Sequence, residues 1–348
     1  MITKTAEELR NLTHRILLAA GADELNADEV AEHLAAANLC GVDTHGVWHV
    51  PGYVQAIRDG HIAPTARPAV LQETSSTALV TGNWTFGHVT AKFATEIGVA
   101  KANDHDIALV STVQTNHIGR LGHYVEIAAA RAMIAMVFAG GFGVGAPAAA
   151  PYGGRTRVFH TNPISMGFPA GDAPPVMFDY ATAALSGVKV ANAQRRGERL
   201  PVGSIIDKDG NPSTDPNDFF DGGAYVPFGG HKGYALMMAA EMLGRVFSGS
   251  DAFAETGRGG PIMGHQGDTI IVFRADLFQP LADYTEHTAA LQERVHATPP
   301  APGFEEVLVP GDPEVRTRET RARDGIPVAA DIWESLVEVA KKLGIAIE

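Results

Sequence analysis

The alternation of strand and helix patterns between residues 77 and 139 constrains this chain most. Thr77–Thr81 reads as a strand, and 88–103 as a helix with Ala and Val along one face. Ile107–Thr112 is a β-branched strand, 125–131 a helix and Ala135–Ala139 a further buried strand. Strands that alternate with helices are buried by laying those helices over the sheet, which predicts an α/β protein. Helical patterns flank this segment. Residues 5–20 place Leu9, Leu12, Ile16 and Leu17 on one stripe, and Asn26 reads as the N-cap of a helix over 27–40. A third helix runs from Pro51 to Arg58 and stops before Gly60. Further on, helices are predicted over 231–247, 283–295 and 328–342, with a strand at Thr269–Phe273. Loops are predicted at 248–267 and 298–313.

Composition narrows the class. With 27 Lys and Arg against 40 Asp and Glu among 348 residues, the net charge is −13. Nucleic acid and anionic membrane both demand basic surface and are not expected as partners. The single cysteine, Cys40, rules out an intramolecular disulfide framework and fits a reducing, cytoplasmic setting. The first residues carry no apolar signal core. The uncharged run from Ala132 to Gly154 is broken by six glycines and by Pro147 and Pro151, so it reads as buried strand and loop, not a membrane span.

Several short constellations carry chemistry. Asp43-Thr44-His45-Gly46, with His49 and Tyr53 following, sets an imidazole that can exchange a proton near neutral pH beside a hydroxyl that can bind a substrate oxygen. Asn116-His117-Ile118-Gly119-Arg120 follows a strand, where α/β proteins place ligands, and offers a second imidazole and a guanidinium suited to a carboxylate. Asp179 ends a strand and can orient an imidazole or cap a turn. Gly229-Gly230-His231-Lys232-Gly233 puts backbone N–H groups and a lysine at a helix start, a site for phosphate, without the ending of a nucleotide-hydrolysing loop. Three patterns fail. Gly141-x-Gly143-x-x-Ala146 lacks a good helix start and an acidic ribose reader. His45 and His49 lack the glutamate of a zinc helix, so no metal is expected. Asp207–Pro212 lacks the twelfth-position Glu of a calcium loop and reads as a hairpin turn.

Taken together, in order and spacing, these segments resemble one family over nearly the whole chain, the type-2 malate/L-lactate dehydrogenases. The resemblance rests on Asp43-Thr44-His45-Gly46, Asn116-His117-x-Gly119-Arg120, Pro151-x-Gly153-Gly154, Thr161-Asn162-Pro163, Asp179-x-Ala181-Thr182, Thr214-Asp215-Pro216, Gly229 to Tyr234 and Pro310-Gly311-Asp312. It implies a non-Rossmann mixed sheet flanked by helices that binds NAD or NADP. It also implies a mainly helical substrate and dimerisation domain from 1–75 plus 281–348, a cofactor domain over 76–280, and a homodimer. The implied reaction moves hydride between nicotinamide and C2 of a small 2-hydroxy or 2-oxo carboxylic acid. By the same resemblance His45 is the proton donor and acceptor, with Thr44 beside it and Asp179 supporting it, and His117 is a second candidate for the base. His49, Arg120 and Tyr53 are expected at the substrate. Asp179, Tyr180, Ala181, His231, Lys232, Gly233, Pro310, Gly311 and Asp312 are expected at the cofactor.

The chain departs from the family pattern where Thr44 replaces the usual Ser and where His49, next to Trp48, replaces a frequent Arg expected to grip the substrate carboxylate. Val188 and Ala183 replace a Gly and a Ser near the expected cofactor region. A cyclic-imine carboxylate reductase is therefore the nearest alternative, and a nucleotide-binding protein without catalysis a more distant one.

Overall fold

The layers predicted from residues 77–139 form the centre of the computed structural model, which describes residues 1–141, 147–259 and 266–347. The chain begins with β1 (Ile2–Lys4), α1 (Ala6–Ala19), α2 (Glu24–Leu39), α3 (Val50–Arg58), β2 (Ala69–Glu73), β3 (Thr77–Thr81) and α4 (Gly87–His105). It continues through β4 (Ile107–Thr115), α5 (Gly122–Ala129), β5 (Met133–Gly140), β6 (Ile164–Ala170), β7 (Ala173–Tyr180) and α6 (Gly187–Arg196). Next come β8 (Ile205–Ile206), β9 (Pro212–Ser213), α7 (Pro216–Phe220), β10 (Ala224–Tyr225) and α8 (His231–Glu241). Last are β11 (Gln266–Arg274), α9 (Leu281–His296), α10 (Asp312–Asp324), β12 (Ile326–Val328) and α11 (Ala330–Lys342).

Seven strands form a mixed sheet in the order β2-β3-β4-β11-β5-β6-β7. Within it only β3 and β4 pair in parallel. In the middle, Ile270 faces Val110 on one side and Val137 on the other, and all three are fully buried. Such apolar runs follow from covering both faces. α4 and α5 lie on one face, and α8 with its continuation lies on the other, where Ala240 and Leu243 meet Phe138 and Ile164. The helix expected over 231–247 is α-helical only to Glu241 and continues as π-helical turns over Met242–Phe247. A three-stranded sheet, β10-β8-β9, packs with α6 and α7 around Tyr225 and Phe219. Its β8–β9 turn is closed by Asp207, whose carboxylate accepts from the Asp209 and Asn211 amides, so the segment is the predicted turn.

A second core joins the two ends of the chain. Leu9, Ile16 and Leu17 of α1 pack with Val30 and Leu34 of α2, Tyr53 of α3 and Leu336 of α11. β1 and β12 pair beneath them, Ile2 opposite Val328. α1 starts at a capping box between Thr5 and Glu8. At 14 residues it is marginal alone, and burying each large side chain, worth roughly 1.5–3 kcal/mol, holds it in place. Asn26 is not the cap of α2. That cap is Asp23, and Asn26 is buried inside the helix, donating to Pro64, Ala66 and Thr85. The segment from Leu281, grouped by sequence with the terminal helices, forms α9 and packs on β6. α10 lies between the loop and helix read from sequence and was not foreseen. Gly143 and Ala146 of the rejected fingerprint, and part of the loop predicted at 248–267, lie outside the described residues.

One crossing ties the sheet to the helical layer. The start of α4 passes so close to the chain after β4 that a Cβ on Gly87 would lie 2.1 Å from the Asn116 carbonyl oxygen and 2.3 Å from that of His117. Asn116 fixes the same crossing by donating to the Trp84 and Thr85 carbonyls. Main chain cannot yield as a side chain end can. Gly87→Ala is therefore expected to cost about 1–3 kcal/mol and to lower the thermal midpoint by a few degrees, measured by calorimetry. An unchanged midpoint would contradict the crossing.

Candidate active site

The first functional turn is built by its neighbours. Residues Asp43–His45 form one 3₁₀ turn after α2. Arg321 of α10 grips the Asp43 carboxylate with two N–H groups, at 2.7 and 3.0 Å. Asn38 donates to Asp43 and accepts from the Val47 amide at 2.8 Å. A Cβ on Gly46 would fall 2.1 Å from the Asn38 side-chain oxygen, so only glycine lets that amide pass beneath the turn. The Thr44 carbonyl accepts from Trp48 Nε1 at 2.7 Å and from His49 Nε2 at 3.0 Å. His49 therefore carries its proton on Nε2. Thr44 Oγ1 lies 3.2 Å from His45 Nδ1.

The second functional loop, after β4, brings His117 to this turn. The His117 ring stacks on His45 with centroids 5.6 Å apart and lies 4.7 Å from His49. These three rings are half-buried, whereas His88 and His33 behind them are each 2% exposed. Burial disfavours the charged form of an imidazole. It is the largest cause of the low pKa values here, about 4 for His45 and about 3 for His49. His117, His88 and His33 are also held well below the ordinary value, by burial and then by neighbouring imidazoles. His160, which the sequence reading passed over, is lowered to about 4 by burial and acts on His117 electrostatically. At neutral pH the site is thus a group of uncharged imidazoles, of which His45, His49 and His117 are partly exposed.

Of the other expected site residues, Arg120 and Asp179 are engaged away from the rings, whereas Tyr53 and His49 stand among them. Arg120 was expected as a carboxylate clamp. It is 1% exposed, and its guanidinium is committed to Glu126 through two bonds of 2.9 and 3.0 Å. Asp179 was expected to support His45. Its carboxylate instead accepts from the Gly122 amide at 2.7 Å and starts α5. Tyr53 was expected at the substrate. It is 1% exposed, and its hydroxyl lies 2.9 Å from His117 Nδ1, behind the ring. His49 is uncharged, so it offers no formal cation to a carboxylate.

The residues expected at the cofactor fall in two places. Asp179, Tyr180, Pro310 and Gly311 share one open groove. Ala181 follows them, and Asp312 folds back to accept from the Val309 amide and His296. The other place is the start of α8. Gly229 and Gly230 both have positive φ, no side chain caps the helix, and His231 and Lys232 are exposed. Gly233 is buried against the Phe228 carbonyl. Tyr180 packs edge-on against Phe228, which links the two places. Sequence reasoning missed His33, His88, His160, Asn38 and Arg321. Fourteen histidines in one chain is the signal that could have prompted a search for a cluster. Among the described residues no group of three or more His, Cys, Asp or Glu side chains is placed to hold a metal, and no helix is long and apolar enough to cross a membrane.

This α/β architecture is shared with known dehydrogenases. A family model described as malate/L-lactate dehydrogenase matches residues 5–337. Hydroxycarboxylate dehydrogenase B of Escherichia coli K12 is 34% identical over 346 residues, covering 99% of this chain and 95% of that protein. L-sulfolactate dehydrogenase of Methanocaldococcus jannaschii is 32% identical, covering 100% and 99%. The solved structure of sulfolactate dehydrogenase from that organism superposes with a TM-score of 0.89 at 30% identity, covering 99% of this chain and 98% of the other. That of Δ1-piperideine-2-carboxylate reductase from Pseudomonas syringae gives 0.83 at 29%, covering 98% and 100%. The chain belongs to the malate/L-lactate dehydrogenase family, as its motifs led us to expect, and is an oxidoreductase.

The neutral imidazoles carry a stability consequence. His33 and His88 are uncharged when folded and titrate near pH 6.5 when unfolded, so below that pH the unfolded chain binds more protons and stability falls as pH drops. These two alone approach a slope of roughly 3 kcal/mol per pH unit as their unfolded forms become fully protonated below pH 6.5, until their folded pKa values are reached. Denaturant midpoints should fall steeply between pH 6.5 and 5.5. Midpoints that hold constant across that interval would show that the cluster does not stay neutral.

Proposed function

We propose that this protein is an NAD(P)-dependent dehydrogenase of small 2-hydroxy acids, with His45 moving the proton at the substrate oxygen. The observation that carries this reading is the convergence of uncharged His45 and His117 from two separate layers at one solvent-facing site. A neutral imidazole can accept the proton of a 2-hydroxyl group and return it to a 2-oxo group in the reverse direction. Thr44, whose hydroxyl lies 3.2 Å from His45 Nδ1, orients that ring or binds the same substrate oxygen.

The residues present fit a dinucleotide. Two successive glycines of positive φ and an uncapped α8, beside exposed Lys232, suit phosphate oxygens. The groove along Tyr180 and Pro310–Gly311 offers an aromatic and apolar wall for the remainder. The bound nicotinamide supplies or accepts the hydride; the chain supplies position and electrostatics. With Arg120 paired to Glu126 and His49 uncharged, neither group expected to grip the substrate carboxylate offers it a free cation. That departure, with the structural likeness to a piperideine-2-carboxylate reductase, supports reduction of a cyclic imine acid as the second reading. An exposed apolar stripe of Met238, Met242, Val246 and Phe247 supports a homodimer, and the charge balance and lone cysteine support a cytoplasmic setting.

His45→Ala should lower kcat by about 10²- to 10⁴-fold with cofactor affinity nearly unchanged, measured by turnover and by NADH fluorescence titration. Activity near wild type would shift the proton step to another residue. A panel of 2-oxo acids and piperideine-2-carboxylate with NADH and NADPH separates the two readings. For oxidation of a 2-hydroxy acid, the acid limb of kcat/KM should lie well below the ordinary histidine value, near the pKa of about 4 at His45. A limb at or above pH 6.5 would contradict a neutral resting base.

A further inference from the structure

The dehydrogenase reading leaves two buried imidazoles, His33 and His88, unused. His88, near the start of α4, is 2% exposed. Its Nε2 lies 3.4 Å from the Tyr53 hydroxyl, and its Nδ1 has no hydrogen-bond partner among the described residues. The same hydroxyl lies 2.9 Å from His117 Nδ1. A phenol has one proton to give, and it donates to a bare imidazole nitrogen more strongly than it accepts. The shorter contact is therefore the one in which Tyr53 donates to His117. The longer one is His88 Nε2–H donating to the phenol oxygen. The reverse order would put the only proton of neutral His88 on Nδ1, leaving a buried N–H with no acceptor, the rarer fault in folded proteins. His33 cannot extend the chain, because its Nε2 already accepts the Arg120 amide at 2.9 Å. The sequence of donors is closed: His88 Nε2–H to Tyr53, and Tyr53 O–H to His117 Nδ1.

We propose that Tyr53 and His88 are positioning residues that lock neutral His117 in its Nε2-protonated tautomer, so that it is a fixed hydrogen-bond donor to the substrate oxygen while His45 alone exchanges the proton. The inference rests on the dehydrogenase reading and divides the labour between two rings that the sequence left as rival bases. In oxidation the 2-hydroxyl proton goes to His45, the hydride leaves C2 for the oxidised nicotinamide, and the oxygen becomes a carbonyl that accepts from His117 Nε2–H. No proton passes through Tyr53 or His88. A donor already aimed at the oxygen needs no reorganisation as charge develops there, which is why its orientation matters to the rate.

The test is ¹⁵N NMR of the histidine-labelled full chain without substrate at pH 7.5, with the His117 signals identified by their loss in His117→Asn. The expected spectrum shows a protonated Nε2 and a bare, hydrogen-bonded Nδ1. A wild-type His117 protonated on Nδ1, or on both nitrogens, overturns the proposal. Tyr53→Phe should release the tautomer and lower kcat by about 10-fold or more with KM little changed. His88→Leu should act in the same direction. His88→Gln, whose amide N–H replaces the Nε2 donor, should restore the wild-type tautomer and raise kcat above that of His88→Leu. A tautomer unmoved by Tyr53→Phe also overturns it. Because the tautomer is read without substrate, failure of this proposal and failure of the dehydrogenase reading show in different measurements.

Discussion

The site depends on keeping a group of imidazoles uncharged at close quarters. His33, His88, His117, His45 and His49 run from the interior to the solvent edge, with successive ring centroids 4.6 to 6.3 Å apart. A charge on an inner ring would be both desolvated and unpaired, and so costs far more than a charge at the rim. Neutrality in turn forces a tautomer on each ring, because a neutral imidazole has one donor and one acceptor nitrogen. The neighbours fix that choice. The Thr44 carbonyl sets His49, the Arg120 amide sets His33 and Tyr53 faces His117. The chemistry available at the rim is thus written in the hydrogen bonds behind it.

The cluster forms because two layers meet at a crossing of main chain. His117 belongs to the sheet and reaches the site from the end of β4, whereas His45 and His49 belong to the helical layer. α10 holds the helical turn in register through Arg321 on Asp43, and Arg318 reaches Glu126, the partner of Arg120. Arg120 thereby ties α5 to the loop carrying His117. A buried bidentate pair of this kind is costly to break from one side, so the guanidinium is poorly placed to leave Glu126 for a substrate. The cofactor-side residues are arranged differently. Of those expected at the cofactor, Tyr180, His231, Lys232 and Pro310 are exposed, whereas Gly233 and Gly311 are buried as backbone packing points.

The sequence made the layered α/β core readable because β5 is a continuous apolar run, Ile107–Val110 and Ile270–Phe273 are apolar runs within β4 and β11, and α1 shows a clean stripe. α10 escaped because Asp312–Asp324 has no buried residue and no apolar stripe; its place is set by arginines reaching α2 and its neighbours. β6 escaped because Gly167 and Pro169 interrupt its pattern. At the site, position in a motif pointed to His45 and His117 but carried no information about which face each neighbour shows. Tyr53 and Arg120 read as ligand-binding residues in one dimension; in three both are 1% exposed, Tyr53 against His117 and Arg120 against Glu126. His88 and His33 sit in ordinary helical patterns, and only the packing of α2 against α4 brings them together.

The central claim is that the reaction takes place against the rim of this imidazole cluster. A crystal structure with NADH and an unreactive 2-oxo acid analogue tests it most directly. The account predicts the analogue's carbonyl oxygen within hydrogen-bonding distance of the His45 and His117 rings, with the nicotinamide on the opposite side of the analogue and the pyrophosphate at the start of α8. A nicotinamide bound away from both rings in every copy of the chain would contradict it.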